Sequence, residues 1–273
     1  MSRHASSHSV VPASSSLQRR ALLVCPSVLY FSGTAAARAG WLQQTDPFSR
    51  IFREALEAPD FQSADEAWSK AISLKPGNAA AWSNRGTKRL QAGRWREARE
   101  DLQKALALEA SQSVEHEPSS MVLNNLGNAE GALGDWTEAR QHFLTAAQDP
   151  DPGLSAMYQL NYSLGAFQEG DAQAAVQGAR GILRRDPFFL DARAALTAFL
   201  WGKGERDEAE GEWEALQQSG DGFGSSMYNK QDAVERVRPR WPPRATAALK
   251  AFLSLSNSAS AEDYNGQQVQ YTF

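Results

Sequence analysis

Acidic residues are missing from the first 45 positions of this chain, although its 273 residues hold 32 of them against 28 lysines and arginines, a formal net charge of −4. Cysteine occurs once, at Cys25, and histidine four times. A single cysteine excludes a disulfide framework and a cysteine-based metal centre. The lack of a basic surplus removes the electrostatic footprint of a nucleic-acid binder. Long apolar runs are also absent. The one candidate, Ala21 to Phe31 and its flanks, is broken by Pro26 and at roughly 11 to 17 residues is short for a membrane span.

The acid-free opening has its own character. Residues 1–18 contain seven serines, one arginine and two histidines, the hydroxyl-rich composition of a transit peptide. Arg19-Arg20 follows, then the apolar run, then the small-residue stretch Gly33 to Ala39. An arginine pair, a short apolar core and an Ala37-Arg38-Ala39 exit form a twin-arginine-type export signal. The expected cleavage point is after Ala39, with Ala37 as the alternative. Residues 1–39 thus read as a cleavable targeting presequence, a transit-like leader in front of an export signal. A plain secretory or bacterial signal, or an uncleaved anchor, are the alternatives. Cleavage would leave 24 basic and 32 acidic residues, no cysteine, and His116 and His142 as the only histidines.

What the rest of the chain has is an internal repeat. Trp82-Ser83-Asn84-Arg85-Gly86 and Leu123-Asn124-Asn125-Leu126-Gly127 are each followed seven residues later by a second glycine, Gly93 and Gly134. An aromatic comes next (Trp95, Trp136), then alanine (Ala98, Ala139), and another alanine seven further on (Ala105, Ala146). In this register five units begin near Thr45, Ala79, Ser120, Ala156 and Leu190, spaced 34, 41, 36 and 34 residues apart. The longest spacing holds an insertion about Ser113 to Ser119, and the 36 holds an Asp149-Pro150-Asp151-Pro152 turn.

This pattern resembles the tetratricopeptide repeat (TPR), whose period is about 34 residues. The resemblance implies an all-α, right-handed superhelix of about five helix-turn-helix units over residues 45–218. Gly86, Gly127 and Ser163 fall where helices A and B of a unit crowd together. Gly93, Gly134, Gly170 and Gly204 fall at the turn between them, where a left-handed backbone suits glycine. Ala64, Ala98, Ala139, Ala175 and Ala209 mark tight contacts early in helix B, with Trp68, Leu102, Phe143, Ala179 and Trp213 four residues on. The first unit departs most, with Phe52 at the small position. The acidic balance and this alanine and glycine pattern argue against the RNA-reading pentatricopeptide array.

Gln217 to Ser226 reads as a glycine- and serine-rich loop, residues 227–254 as a capping region, and residues 255–273 as a disordered tail. Leu249, Phe252 and Leu253 can cover the end of the stack, whose last unit otherwise exposes an apolar face. Leader, repeats and the stretch Arg238-Pro239-Arg240-Trp241-Pro242-Pro243-Arg244 together resemble the chloroplast lumen common proteins of plants and algae. That resemblance implies the thylakoid lumen of the chloroplast as location; export by another signal-dependent route is the alternative.

In TPR stacks the second, fifth, sixth, ninth and twelfth positions of helix A face the concave groove. The sixth positions hold Asn84, Asn125 and Asn161, with Asn128 one turn after Asn125. Asparagine offers a donor and an acceptor, so a ladder of them can grip the main chain of an extended peptide. Met157, Phe167 and Trp201 are the candidate apolar pockets of that groove. Arg85, Lys88 and Arg89 read as a solvated basic face. His142, four residues after Glu138, has ordinary salt-bridge spacing, and Gly202-Lys203-Gly204 lacks the order of a phosphate loop. The expected function is a non-catalytic interaction scaffold or assembly factor with no cofactor and no metal. Its partner is a protein or peptide rather than nucleic acid, and no stable span remains in the mature form. The alternatives are an accessory subunit of an enzyme or photosynthetic complex, and a self-associating module forming a homodimer.

Overall fold

Aspartate or asparagine stands just ahead of seven of the helices, and in five of them the side chain closes the first turn. The computed structural model describes residues 46–112, 118–220 and 222–254. The presequence, the centre of the insertion with His116, and the tail at 255–273 lie outside the described residues. Five helix pairs follow one another: α1 (Pro47–Glu57) with α2 (Phe61–Leu74), α3 (Ala79–Gln91) with α4 (Trp95–Gln112), α5 (Ser120–Leu133) with α6 (Trp136–Ala146), α7 (Pro152–Glu169) with α8 (Ala172–Arg185), and α9 (Leu190–Lys203) with α10 (Arg206–Gln218). Asp46, Asp60, Asn78, Asp151 and Asp171 each accept a backbone N–H of the first turn, at 2.8–3.1 Å. Such caps satisfy donors that the helix itself cannot.

The turn glycines Gly93, Gly134, Gly170 and Gly204 have φ between 77° and 100°, where an L side chain is strained. The crowding glycine of the third unit is equally constrained. A Cβ on Gly127 would lie 2.7 Å from the Phe143 ring and 3.0 Å from the carbonyl of Ala139. The fourth unit meets the same need in reverse. Ser163 sits on helix A, and the space it needs comes from Gly178 on helix B, where a Cβ would lie 2.2 Å from the serine oxygen. In the first unit Phe52 packs edge-on against Trp68 at 4.8 Å, and α1 stops at Ala58, extended before Pro59.

Three details differ from the sequence reading. Helix α7 begins at Pro152, a turn before Ala156, because Asp151 caps it and proline suits the first helical position. Helix α4 runs to Gln112 and takes up the residues ahead of the insertion. The segment expected to be a loop contains the short helix α11 (Phe223–Met227), after which come α12 (Ala233–Val237) and α13 (residues 243–254). The largest buried apolar cluster joins the fourth and fifth units to this C-terminal arm through Trp241, Ala245, Leu249, Phe252 and Leu253.

Candidate functional site

The helix A face that should line the groove changes along the stack. In the first two units it is partly accessible: Arg50 and Ala80 are exposed, Arg53, Asn84 and Thr87 are half-buried, and Ser83 and Leu90 are buried. In the third and fourth units the asparagines are buried. Asn125 is 1% exposed and donates through Nδ2 to Thr87 Oγ1 at 3.1 Å. Asn161 is 4% exposed and donates to Asn124 Oδ1 at 2.8 Å. Asn128 is also buried. The asparagines therefore meet the neighbouring helix A rather than standing as open rungs, and only Asn84 retains an accessible side chain. The physical reason is that small and short polar residues at these positions let successive A helices close on one another. Buried amides then need partners from the next unit.

The apolar candidates are also largely committed. Phe167 is 1% exposed and lies 4.9 Å from the Phe199 ring, against Gly202, where a Cβ would come within 2.4 Å of it. Trp201 is half-buried beneath the Arg206 guanidinium and 5.4 Å from the Phe252 ring. Met157 is half-buried and can still be reached from solvent.

What closes the groove at the last two units is the C-terminal arm. Asp191, at the second position of the fifth unit, accepts from Arg240 and from the Tyr228 hydroxyl. Arg244 donates its backbone N–H to Gln168 Oε1 at 2.9 Å, and its guanidinium lies 5.2 Å from the Phe167 ring centroid. Gln168 thus caps the first turn of α13 from the fourth unit, next to Pro243. Ala194, Ala195 and Ala198, groove positions of α9, have no exposed surface. Burial pushes the Tyr228 hydroxyl pKa up, and the Asp191 charge adds to it. Burial works against the Arg240 charge, but the hydrogen bond and field of Asp191 outweigh it and raise its pKa. The stretch expected to cap the end of the stack also lies on its concave side.

Charge binds helices within and between units elsewhere. Arg85 makes a two-pronged pair with Asp101 at 2.8 and 2.9 Å. Arg89 bridges Asp65 of the first unit at 2.7 Å and Asp101 of the second at 2.9 Å. These arginines are thus half-buried inter-helix pins, not the solvated face expected from sequence. Their spacing alone could not show the acids, which lie 12 to 24 residues away along the chain. Likewise His142 faces Glu130 at 2.7 Å rather than Glu138. Among the described residues, no group of three or more His, Cys, Asp or Glu is placed to hold a metal ion, and no helix is long and apolar enough to cross a membrane.

Helix pairs with glycine at the turn and alanine at the crossing recur from the second unit on, and two tetratricopeptide family models match there, over residues 77–148 and 124–188. The chain carries tetratricopeptide repeats. Solved TPR structures share the fold. PilW, a widely conserved type IV pilus biogenesis factor, is 18% identical with a TM-score of 0.56, covering 82% of this chain and 94% of its own. YrrB, a TPR protein with an unusual peptide-binding site, is 18% identical with a TM-score of 0.54, covering 71% of this chain and 96% of its own. A TPR protein from Parabacteroides merdae is 19% identical with a TM-score of 0.54, covering 82% and 93%. No curated protein matches the chain. At these identities the likeness of the TPR chain to its neighbours is one of fold.

Proposed function

We propose that this TPR chain is a non-catalytic scaffold or assembly factor that holds an extended segment of a partner protein on the concave face of its first two or three units. The observation that carries this reading is the contrast along the groove. Arg50, Ala80 and Asn84 remain accessible, whereas the fourth and fifth units are closed by the chain's own arm. Asn84 supplies donor and acceptor for main-chain contact, Met121 supplies an adaptable apolar contact at the edge, and Arg50 and Arg53 add positive charge at one end. A TPR neighbour described as having a peptide-binding site and another described as a biogenesis factor support the scaffold class. The setting we propose is the thylakoid lumen of the chloroplast. Its support is the acid-free, serine-rich leader followed by Arg19-Arg20, the apolar run and Ala37-Arg38-Ala39.

The test is a pull-down from isolated thylakoids with residues 40–273, beside an Arg50→Glu, Asn84→Ala double variant. The expected result is one defined partner retained by the natural chain and lost by the variant at unchanged melting temperature. Equal retention by both would place binding away from this face. Import of a fluorescent protein fused to residues 1–45 into isolated chloroplasts checks the location. A fusion that stays outside the thylakoid lumen would remove that part of the reading.

A further inference from the structure

Away from the groove, three helices of the last two units border an open recess of about 330 Å³, lined by Arg180, Leu183 and Arg184 of α8, Arg193 and Leu196 of α9 and Glu212 of α10. We propose that this recess takes an acidic segment of a partner protein, a carboxylate followed by an apolar side chain. It is a second interaction surface, on the side formed by the B helices, and it does not depend on the groove.

Three observations point to that chemistry. First, the arginines outnumber the acids around them. Arg180 is paired with Glu208, and Arg193 with Glu212 at 2.7 Å. Arg184 is exposed and has no ion pair among the described residues, and Arg185 beside it adds a further charge. Second, the two pairs hold their guanidiniums in place while one donor is left over, since the Arg193 Nε–H is buried without an acceptor. A buried donor of this kind costs free energy until an acceptor arrives, and a carboxylate is the acceptor that matches a guanidinium best. Third, the recess is not purely polar. Leu196 is fully buried at its base and Leu183 is half-buried. Arg193 also holds the carbonyl of Pro187 at 3.1 Å. A free phosphate would use the arginines and leave Leu183 idle. A carboxylate with an adjoining apolar side chain uses both.

The probe is a fluorescein-labelled peptide, Ser-Glu-Asp-Leu-Phe-Ser-Gly, titrated with the full chain by fluorescence polarisation. Its Gln-Asn counterpart serves as the uncharged control. Saturable binding with Kd below about 100 μM is expected, weaker at about 300 mM salt than at about 50 mM. The Gln-Asn peptide and Arg184→Glu should each weaken it about 10-fold or more, with Arg184→Lys in between. Arg184 is exposed, so its variants should keep the natural melting temperature. The Asn84→Ala variant should bind the peptide unchanged, which separates this surface from the groove. Absence of saturation by about 1 mM, equal binding of the Gln-Asn peptide, or insensitivity to Arg184→Glu would each overturn the proposal. So would displacement by about 10 mM inorganic phosphate alone, because the site would then read only an anion.

Discussion

Two helical glycines show how differently one residue type acts in this fold. Gly127 faces the Phe143 ring with no room for a methyl group, whereas Gly211, inside α10, has nothing within 4 Å of a Cβ built on it. Alanine at Gly211 should stabilise the chain by up to about 1 kcal/mol through helix propensity alone. At Gly127 the same change meets an overpacking cost of about 1–3 kcal/mol, which exceeds that gain. Thermal melts of the two variants should therefore move in opposite directions, and a shared direction would show that the third unit can relax around the methyl. Asp191 is the other residue on which much depends. It holds Arg240 and Tyr228 in a site where Arg240 and Asp191 side chains are only 19% and 17% exposed. Asp191→Asn leaves a buried guanidinium without its counter-charge, and a loss of about 3 kcal/mol or more is expected in urea unfolding. A loss below about 1 kcal/mol would show that Arg240 finds solvent instead.

At the scale of elements, neighbouring units are stitched by arginines that cross from one to the next. Arg140 of α6 reaches Glu169 at the end of α7 at 2.7 Å, and Thr137 donates to the same carboxylate. The hydrogen bond from Thr137, then that from Arg140, hold the Glu169 carboxyl below its ordinary 4.5. A lowered pKa in the folded chain means this contribution is complete above pH 4.5 and is lost as pH falls through the folded value. Acid titration of stability should thus decline less steeply below that pH in Glu169→Gln than in the natural chain. Parallel declines would show that the carboxylate does not couple the two units.

For the whole molecule, the C-terminal arm decides how much of the superhelix is a stable body and how much is an open surface. Helix α9 is buried almost all round, through Leu190, Ala192 and Ala194 to Leu200, and much of that cover comes from residues 228–253. A repeat array gains stability only from its immediate neighbours, so loss of the arm should act locally. Truncation after Gly222 is expected to raise hydrogen exchange in α9 and α10 by orders of magnitude and leave α3 and α4 protected. Uniform loss of protection would show that the five units unfold as one.

The sequence by itself determined the helical class, the five-unit register and the places where glycine or alanine is required. These follow from local geometry: the backbone sign at a turn and the space at a helix crossing recur at fixed offsets whatever the surroundings. The apolar face of residues 249–253 was legible in the same way. Only the tertiary structure decided which helix A positions stay open. Asn125 and Asn161 have the same spacing as Asn84, yet they are buried because Thr87 and Asn124 of adjacent units meet them. Phe167 and Trp201 were likewise taken from the groove by contacts with Phe199, Phe252 and Arg244. The pairings of Arg89 with Asp65 and of Arg240 with Asp191 span 24 and 49 residues. Periodicity carries no information about partners at such distances, because superhelical packing and the returning arm bring them together.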